Sequence, residues 1–328
     1  MPFVRRLLLL SLLLAAVAFS QNANRLSVND KKVPESEDDL RAIESALKSA
    51  LQTAKKATVC LELGQGSGSG VTISPDGLIL TAAHVTGGVG KEITAILADG
   101  SKVKCESLGL NSDTDCAMAK IIEKGTYPYC EVDHNDSSKL GDWVFSLGHS
   151  GGYDKNRGVG VRIGRLIKVA DSTVQSDCSL IGGDSGGPLF DMNGRLIGIH
   201  SRVGLNLQQN MHVPMREFQR HWDGMLKSEF LGEGPYAKKP QKGSGFLGVG
   251  SEETADGKLR VTKIGRESPA ETAGIKVNDM ILKIDGKEIQ GKEMMQDMLK
   301  EKAAEDKLVL LLLRSGKEIE ITVRLAKR

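Results

Sequence analysis

What most restricts the fold of this chain is a succession of short β-rich runs broken by Gly, Asp and Asn: TVCLEL, GVTISPDGLILTAA, EITAILADGSKVKCESLGL, CAMAKII, DWVFSLG, VRIGRLIKV and RLIGIHS. Many short strands with turn signals, and little helical periodicity between them, predict a β-barrel or sandwich. One helix precedes them. From Asp38 the apolar residues Leu40, Ile43, Leu47 and Leu51 recur at helical spacing, Ser36 is placed as an N-cap, and Asp38 and Asp39 suit the first turn.

At 328 residues the chain is long enough for two domains. After Leu231 the composition shifts: GEGPYAKKPQKGSG gathers Gly, Pro and Lys and keeps no apolar period. Residues 232–243 are therefore read as a linker between a β-rich domain at 36–231 and a compact unit at 244–328. In that unit Ser268, Pro269 and Gly274 specify one short capped helix. Asp285-Gly286 marks a turn after MILKI, residues 292–304 read as a second helix, and LVLLLL-RSGK-EIEITVRL reads as a hairpin.

The N-terminus carries Arg5 and Arg6, an apolar run from Leu7 to Phe19, and Ala18-Phe19-Ser20, which suits cleavage before Gln21. A run of about 13 residues falls short of the roughly 20 that span a bilayer. Residues 1–20 are thus expected to be a secretory signal peptide, with an uncleaved inner-membrane anchor as the alternative, and the polar residues 21–35 a flexible leader. The 44 basic and 42 acidic side chains leave a net charge of +2, too little to draw a phosphate backbone or anionic lipid, so nucleic acid is not an expected partner. Five cysteines (Cys60, Cys105, Cys116, Cys130, Cys178) leave at least one unpaired in an oxidising compartment. None has CxxC spacing, so no metal site is expected. Buried small hydrophobes, with at most one disulfide among them, is the expected role. GQGSGSG near residue 64 lacks the register of a phosphate-binding loop, and no cofactor motif is present.

The chemistry gathers around GDSGGP, residues 183–188. A serine hydroxyl is a poor nucleophile unless an adjacent base takes its proton and a third group orients that base. His84 closes the strand-like LTAAHV after two small residues, and Asp115 begins the apolar run of TDCAMAKI, with Asp113 as the runner-up acid. Each alone has a structural reading: a packed histidine, a turn carboxylate, a glycine bend before a strand. In the order His, Asp, Ser within one β-rich region they predict a catalytic triad, with the amides of Gly183 and Ser185 as the oxyanion hole.

TAAHV, TDCAMAKI and GDSGGP, together with GSGSGVTISPDGLILTAAHV, resemble a trypsin-like serine protease of the HtrA (Deg) family, and GFLGVG followed by VTKIGRESPAETAGIKVNDMILKIDGKEI resembles the PDZ domain that this family carries. The resemblance covers about residues 36–325. It implies a mainly β protein: a double β-barrel protease domain followed by an α+β PDZ domain. It further implies an ATP-independent, exported, periplasmic endopeptidase of misfolded or unfolded proteins, a homotrimeric assembly, and a PDZ domain that takes peptide C-termini. The alternative is a non-proteolytic peptide-binding holdase or scaffold. By the same resemblance Ser179 lies near the base of the substrate pocket with Ser201 to Val203 as a wall, Arg202 intruding, and no acid to favour Lys or Arg. Phe246, Leu247, Gly248 and Val249 would form the PDZ carboxylate loop; Met294, Met295 and Met298 are read as helix core, with lining of the peptide groove as the alternative.

Several residues depart from the family pattern. Asp184 stands where the family has Asn. Digestive trypsin-like enzymes also have Asp there and pair it with a newly cut N-terminus, but no activation sequence precedes the barrel here, so the acid's partner is not legible. No aromatic residue lies between positions 21 and 126 to build the family's trimer contact. Cys178 is read as a packed thiol rather than a redox switch, and His149, His200 and His212 as surface or core residues.

Overall fold

The computed structural model describes residues 25–64, 66–204, 209–239 and 241–327. The expected signal peptide lies outside the described residues. The described part of the polar leader makes specific contacts: Arg25 pairs with Asp142 at 2.5 Å, Asn29 Oδ1 accepts the Trp143 amide at 2.9 Å, and Val28 is buried. A helix over Glu37–Ala57 follows, capped as expected by Ser36, whose hydroxyl accepts the Asp39 amide. Its buried face is not the expected one. Leu40 is exposed, and Ile43, Ala50, Ala54 and Ala57 are buried, with Leu47 and Leu51 only partly so. Alanines let the helix lie close to the β layer, so small residues rather than leucines face it.

The described chain divides into two compact units, residues up to 87 with 92–237, and 88–91 with 238–327. In the first, β1 (Thr58–Leu63), β2 (Gly66–Thr72), β3 (Leu78–Ala82), β4 (Glu92–Ile96), β5 (Lys102–Asn111) and β6 (Cys116–Ile121) run in the order β5-β4-β1-β2-β3-β6, and β6 pairs back on β5 to close a six-stranded barrel. Then β7 (Trp143–Gly148), β8 (Gly160–Val169), β9 (Val174–Ser176), β10 (Pro188–Asp191), β11 (Leu196–Val203) and β12 (Asn210–Pro214) close a second. Closure removes the edges that an open sheet would expose.

Val59, Leu61, Ile79, Ile93 and Ala119 fill the first barrel, and Val144, Leu166, Val174, Leu189 and Ile197 the second. The outer sides of β2, β3 and β6 carry Val71, Leu80 and Met118, which join Phe145, Leu147, Phe190, Ile199 and Phe218 in a third core between the barrels. Strands buried on both faces lose the alternation of a half-exposed strand, which is why these runs read as nearly continuous apolar segments. A short β13 (Phe230–Leu231) adds in parallel to β5. The segment that composition marks as linker continues on this unit: the Ser112 hydroxyl lies 2.6 Å from the Gly234 carbonyl and 2.7 Å from that of Ala237.

The second unit has β14 (Gly245–Phe246), β15 (Val249–Glu253), β16 (Leu259–Ile264), β17 (Met280–Ile284), β18 (Lys287–Glu288), β19 (Lys307–Arg314) and β20 (Lys317–Arg324), with a sheet order β15-β16-β17-β19-β20. Ser268 caps the helix Pro269–Thr272, as its sequence specifies. The second helix covers Gly291–Lys300 rather than 292–304, because the Asp306 carboxylate takes the Ala303 amide at 2.8 Å and turns the chain out of the helix. Within it Met295 is buried core, and Met294 and Met298 are half-buried against the same cluster.

All five cysteines are free and buried, so the disulfide allowed for in the sequence does not form. Burial raises their thiols, to about 11 for Cys60 and Cys178 and about 12 for Cys105 and Cys130, which makes them poor nucleophiles. Among the described residues no helix is long and apolar enough to cross a membrane.

Candidate active site

β3 delivers His84. The strand ends at Ala82 and turns into a single helical turn, Ala83–Thr86, closed by Gly87 in the left-handed conformation. Asp115 arrives from the β5–β6 turn with φ +66°, a conformation that aspartate tolerates better than most residues. That backbone setting lets Asp115 meet the His84 segment twice. Its carbonyl accepts the Ala83 amide at 3.0 Å, and its carboxylate Oδ1 accepts the His84 amide at 3.0 Å.

Asp115 is fully buried and is served by three donors. Its oxygens lie 3.0 and 2.9 Å from His84 Nδ1, and the Ser201 hydroxyl donates to Oδ2 at 2.5 Å. A carboxylate only accepts, so Nδ1 carries the proton and Nε2 is left with its lone pair, the tautomer a general base needs. Asp113 is engaged elsewhere, accepting the Glu233 amide at 3.0 Å.

The serine turn is built by close backbone approaches. A Cβ on Gly183 (φ +94°) would lie 2.5 Å from the Gly151 amide nitrogen and the His149 carbonyl oxygen. One on Gly186 (φ +82°) would lie 2.2 Å from the Ser69 carbonyl oxygen. Only glycine fits at either place. Three bonds then tie the turn to β2 and β11: Ser69 N to Ser185 O at 2.8 Å, Ser69 Oγ to Gly183 O at 2.8 Å, and Gly186 N to His200 O at 2.8 Å.

Gly68 stands between the two halves. A Cβ there would lie 2.7 Å from a methyl of Val85, the residue after His84, and 3.2 Å from the Ser185 carbonyl oxygen. His84 and Asp115 are thus joined directly, and Ser185 is held beside the His84 segment through its backbone. Among the described residues its hydroxyl makes no hydrogen bond, and the amides of Gly183 and Ser185 meet no carbonyl. In free enzymes the serine–histidine bond is often long and tightens in the complex.

Comparison with known proteins gives the family and its two domains. Residues 68–199 match the model of the trypsin-like peptidase domain and residues 245–325 that of the PDZ domain. The chain belongs to the HtrA (Deg) family of trypsin-like serine proteases with one PDZ domain. Its relatives include a probable periplasmic serine endoprotease, DegP-like, of Chlamydia pneumoniae, 31% identical over 79% of this chain and 55% of that protein. A protein of the same description from Bartonella henselae is 30% identical over 79% of this chain and 52% of its own length. This HtrA-family chain therefore spans about half the length of these curated relatives. A solved structure of the HtrA-type protease AlgW with a tripeptide, in a serine-substituted form, shares the fold: TM-score 0.50 at 22% identity, covering 86% of this chain and 97% of that one.

For this HtrA-family chain the pocket residues lie differently from the sequence expectation. The Ser201 hydroxyl is committed to Asp115, which makes it an orienting group. Ser179 is exposed and lines a shallow depression with Trp143, Ile163, Arg165 and Asp177, none of which belongs to the triad. Val203 is exposed, and Arg202 lies over the Tyr236 ring at 5.6 Å. That tyrosine, in the segment read as linker, places its ring 6.5 Å from the His84 ring. It is the single aromatic of a Gly- and Lys-rich stretch, and that isolation is the signal sequence reading passed over.

Of the two roles open to His149, His200 and His212, surface or core, all three take the second: each is buried. His200 Nε2 faces the Leu147 carbonyl at 3.1 Å, its Nδ1 meets His212 Nδ1 at 2.9 Å, and His212 Nε2 meets the Ser176 hydroxyl at 2.8 Å. Two neutral rings satisfy this chain of donors and acceptors. Burial opposes the charged form and lowers His200 to about 3 and His149 to about 4.

Proposed function

We propose that this chain is an ATP-independent serine endopeptidase acting on unfolded or misfolded exported proteins, with Ser185 as nucleophile, His84 as base and Asp115 as its orienting acid. The observation that carries the reading is the dry Asp115 carboxylate bonded to His84 Nδ1. In this mechanism Ser185 Oγ attacks the peptide carbonyl and passes its proton to His84 Nε2. Asp115 stabilises the imidazolium, which then protonates the leaving amine, and water releases the acyl group by the same route. The unspent amides of Gly183 and Ser185 would hold the oxyanion, each contributing about 3–4 kcal/mol.

The second unit supports capture of peptide C-termini. β15 is an edge strand, paired on one side with β16, and an extended peptide could add to its other side. Beside it the amides of Leu247 and Gly248 meet no carbonyl among the described residues, and Gly248 takes φ +84° to present them. Periplasmic location and a trimer are carried as part of this reading, the first by the names of the relatives and the second by family resemblance alone.

The test is degradation of a generic unfolded protein such as casein by the purified chain, beside Ser185→Ala. Cleavage by the parent alone supports the protease. Cleavage by neither favours the holdase, and cleavage by both removes Ser185 from the chemistry.

A further inference from the structure

β8 breaks the ordinary alternation of a barrel strand. Val161 and Ile163 face outward and are exposed, while the arginine between them, Arg162, turns inward and is largely buried. Burying a guanidinium while exposing its apolar neighbours is costly unless an acid waits for it. The acid is Asp184, which is fully buried at the centre of the serine turn.

Arg162 Nη2 lies 2.9 Å from Asp184 Oδ2 and 2.8 Å from the Ser150 hydroxyl, which itself donates to Asp184 Oδ1 at 2.7 Å. The Ile181 amide completes the set at 2.9 Å from Oδ2. The carboxylate has room because residue 148 is glycine: a Cβ there would lie 2.5 Å from Asp184 Oδ1. Asp184 stands between Gly183 and Ser185, the residues whose amides face the proposed oxyanion. Fixing its carboxylate fixes the two peptide planes that flank it.

We propose that Arg162 is a positioning residue that supplies, from within the chain, the cation that the buried Asp184 requires. The oxyanion turn is thereby preformed, without a newly cut N-terminus to neutralise the acid. This rests on the protease reading above and adds to it the source of the counter-charge. Both contacts come from one nitrogen, Nη2, and lysine is a weaker substitute because its shorter side chain would have to bring a more strongly hydrated ammonium to the same buried point.

The experiment measures the rate at which a fluorophosphonate probe labels Ser185, with kcat and KM for a peptide substrate and thermal melting as companions. In labelling, Oγ bonds to phosphorus as fluoride leaves, a step that needs both the base and the oxyanion donors. Arg162→Met is expected to stay folded and to lose tenfold to a hundredfold in labelling and kcat with KM nearly unchanged. Arg162→Lys should fall between it and the parent. Arg162→Met with Asp184→Asn, which removes the stranded charge, should recover part of the loss. A folded Arg162→Met that labels within twofold of the parent overturns the proposal. So does a parent whose labelling rises tenfold when an N-terminal extension is cut away, because the ammonium would then be the missing cation. If Arg162→Met does not fold, Arg162→Lys decides: a rate threefold to tenfold below the parent supports the clamp, and an equal rate sinks it. A parent that is not labelled at all, like Ser185→Ala, defeats the protease reading itself and the clamp with it, whereas a labelled parent with an indifferent Arg162 defeats only the clamp.

Discussion

Two glycine-bearing turns in this protein aim backbone amides outward, and they are held in different ways. The turn around Ser185 is wedged between backbone atoms: added Cβ atoms at Gly183 and Gly186 would lie 2.5 and 2.2 Å from main-chain nitrogen or oxygen, and its central acid is buried with an ion-pair partner. The loop Phe246–Val249 leans on one side chain: a Cβ on Gly248 would lie 2.2 Å from Ser268 Cβ and 2.7 Å from its Oγ. Main-chain atoms stay whatever the residue, and a side chain can be removed by substitution. The difference fits what each turn is proposed to meet, a transition-state charge needing donors fixed in advance in one case and a stable carboxylate in the other.

The comparison breaks most visibly at Gly183. Gly183→Ala puts a methyl group into the Gly151 and His149 main chain at a residue with φ +94°, so the turn must shift and carry its amide with it. Loss of one such donor costs about a hundredfold to a thousandfold in kcat. KM should change little, and steady-state kinetics on a short peptide would show it. A kcat within threefold of the parent would mean that this amide does not face the reaction.

Acid should separate the two units. All six histidines of the sequence precede residue 238, and two of them, His149 and His200, are lowered by burial to about 4 and about 3. A lowered histidine favours the fold while neutral. Its contribution is complete above the unfolded value of about 6.5 and is lost as pH falls toward the folded one, because the unfolded chain binds the proton first. At pH 5 the loss is about 2 kcal/mol for each of these residues. The first unit should therefore melt at lower temperature at pH 5 than at pH 7, and the second unit should move much less. Calorimetry that showed both transitions falling together would place the acid-sensitive groups elsewhere.

The two-barrel fold, the His84–Asp115 pair and the glycine turn around Ser185 were legible because each depends on local grammar. LTAAHV, TDCAMAKI and GDSGGP carry strand, turn and glycine signals within a few residues, and barrel strands announce themselves by their punctuation. What was hidden depends on partners far along the chain. Arg162 reads as one more charge in a strand, and its meaning comes only from Asp184 across the barrel. Ser201 reads as a pocket wall until Asp115 is seen to accept its hydroxyl hydrogen bond, and Tyr236 as a linker residue until its ring lies near His84. The helix face was misjudged for the same reason, since Leu40 satisfies the period while the surface opposite leaves room for alanines.

The smallest of these effects tests the softer turn. Gly248→Ala must push Ser268 aside, and Ser268 caps the helix Pro269–Thr272 by accepting the Glu271 amide at 3.2 Å. The strain of a left-handed alanine and a loosened cap should together weaken binding of a C-terminal peptide about tenfold, which is about 1.4 kcal/mol, as read by fluorescence anisotropy. Cleavage of a peptide too short to reach a second binding site should be unchanged. Because the obstacle is a side chain, adding Ser268→Gly to Gly248→Ala removes the clash and should restore part of the affinity. No such partner substitution can relieve Gly183→Ala, whose obstacles are main-chain atoms. If the paired substitution restores nothing, Gly248 is held by its own backbone setting, and the two turns are alike after all.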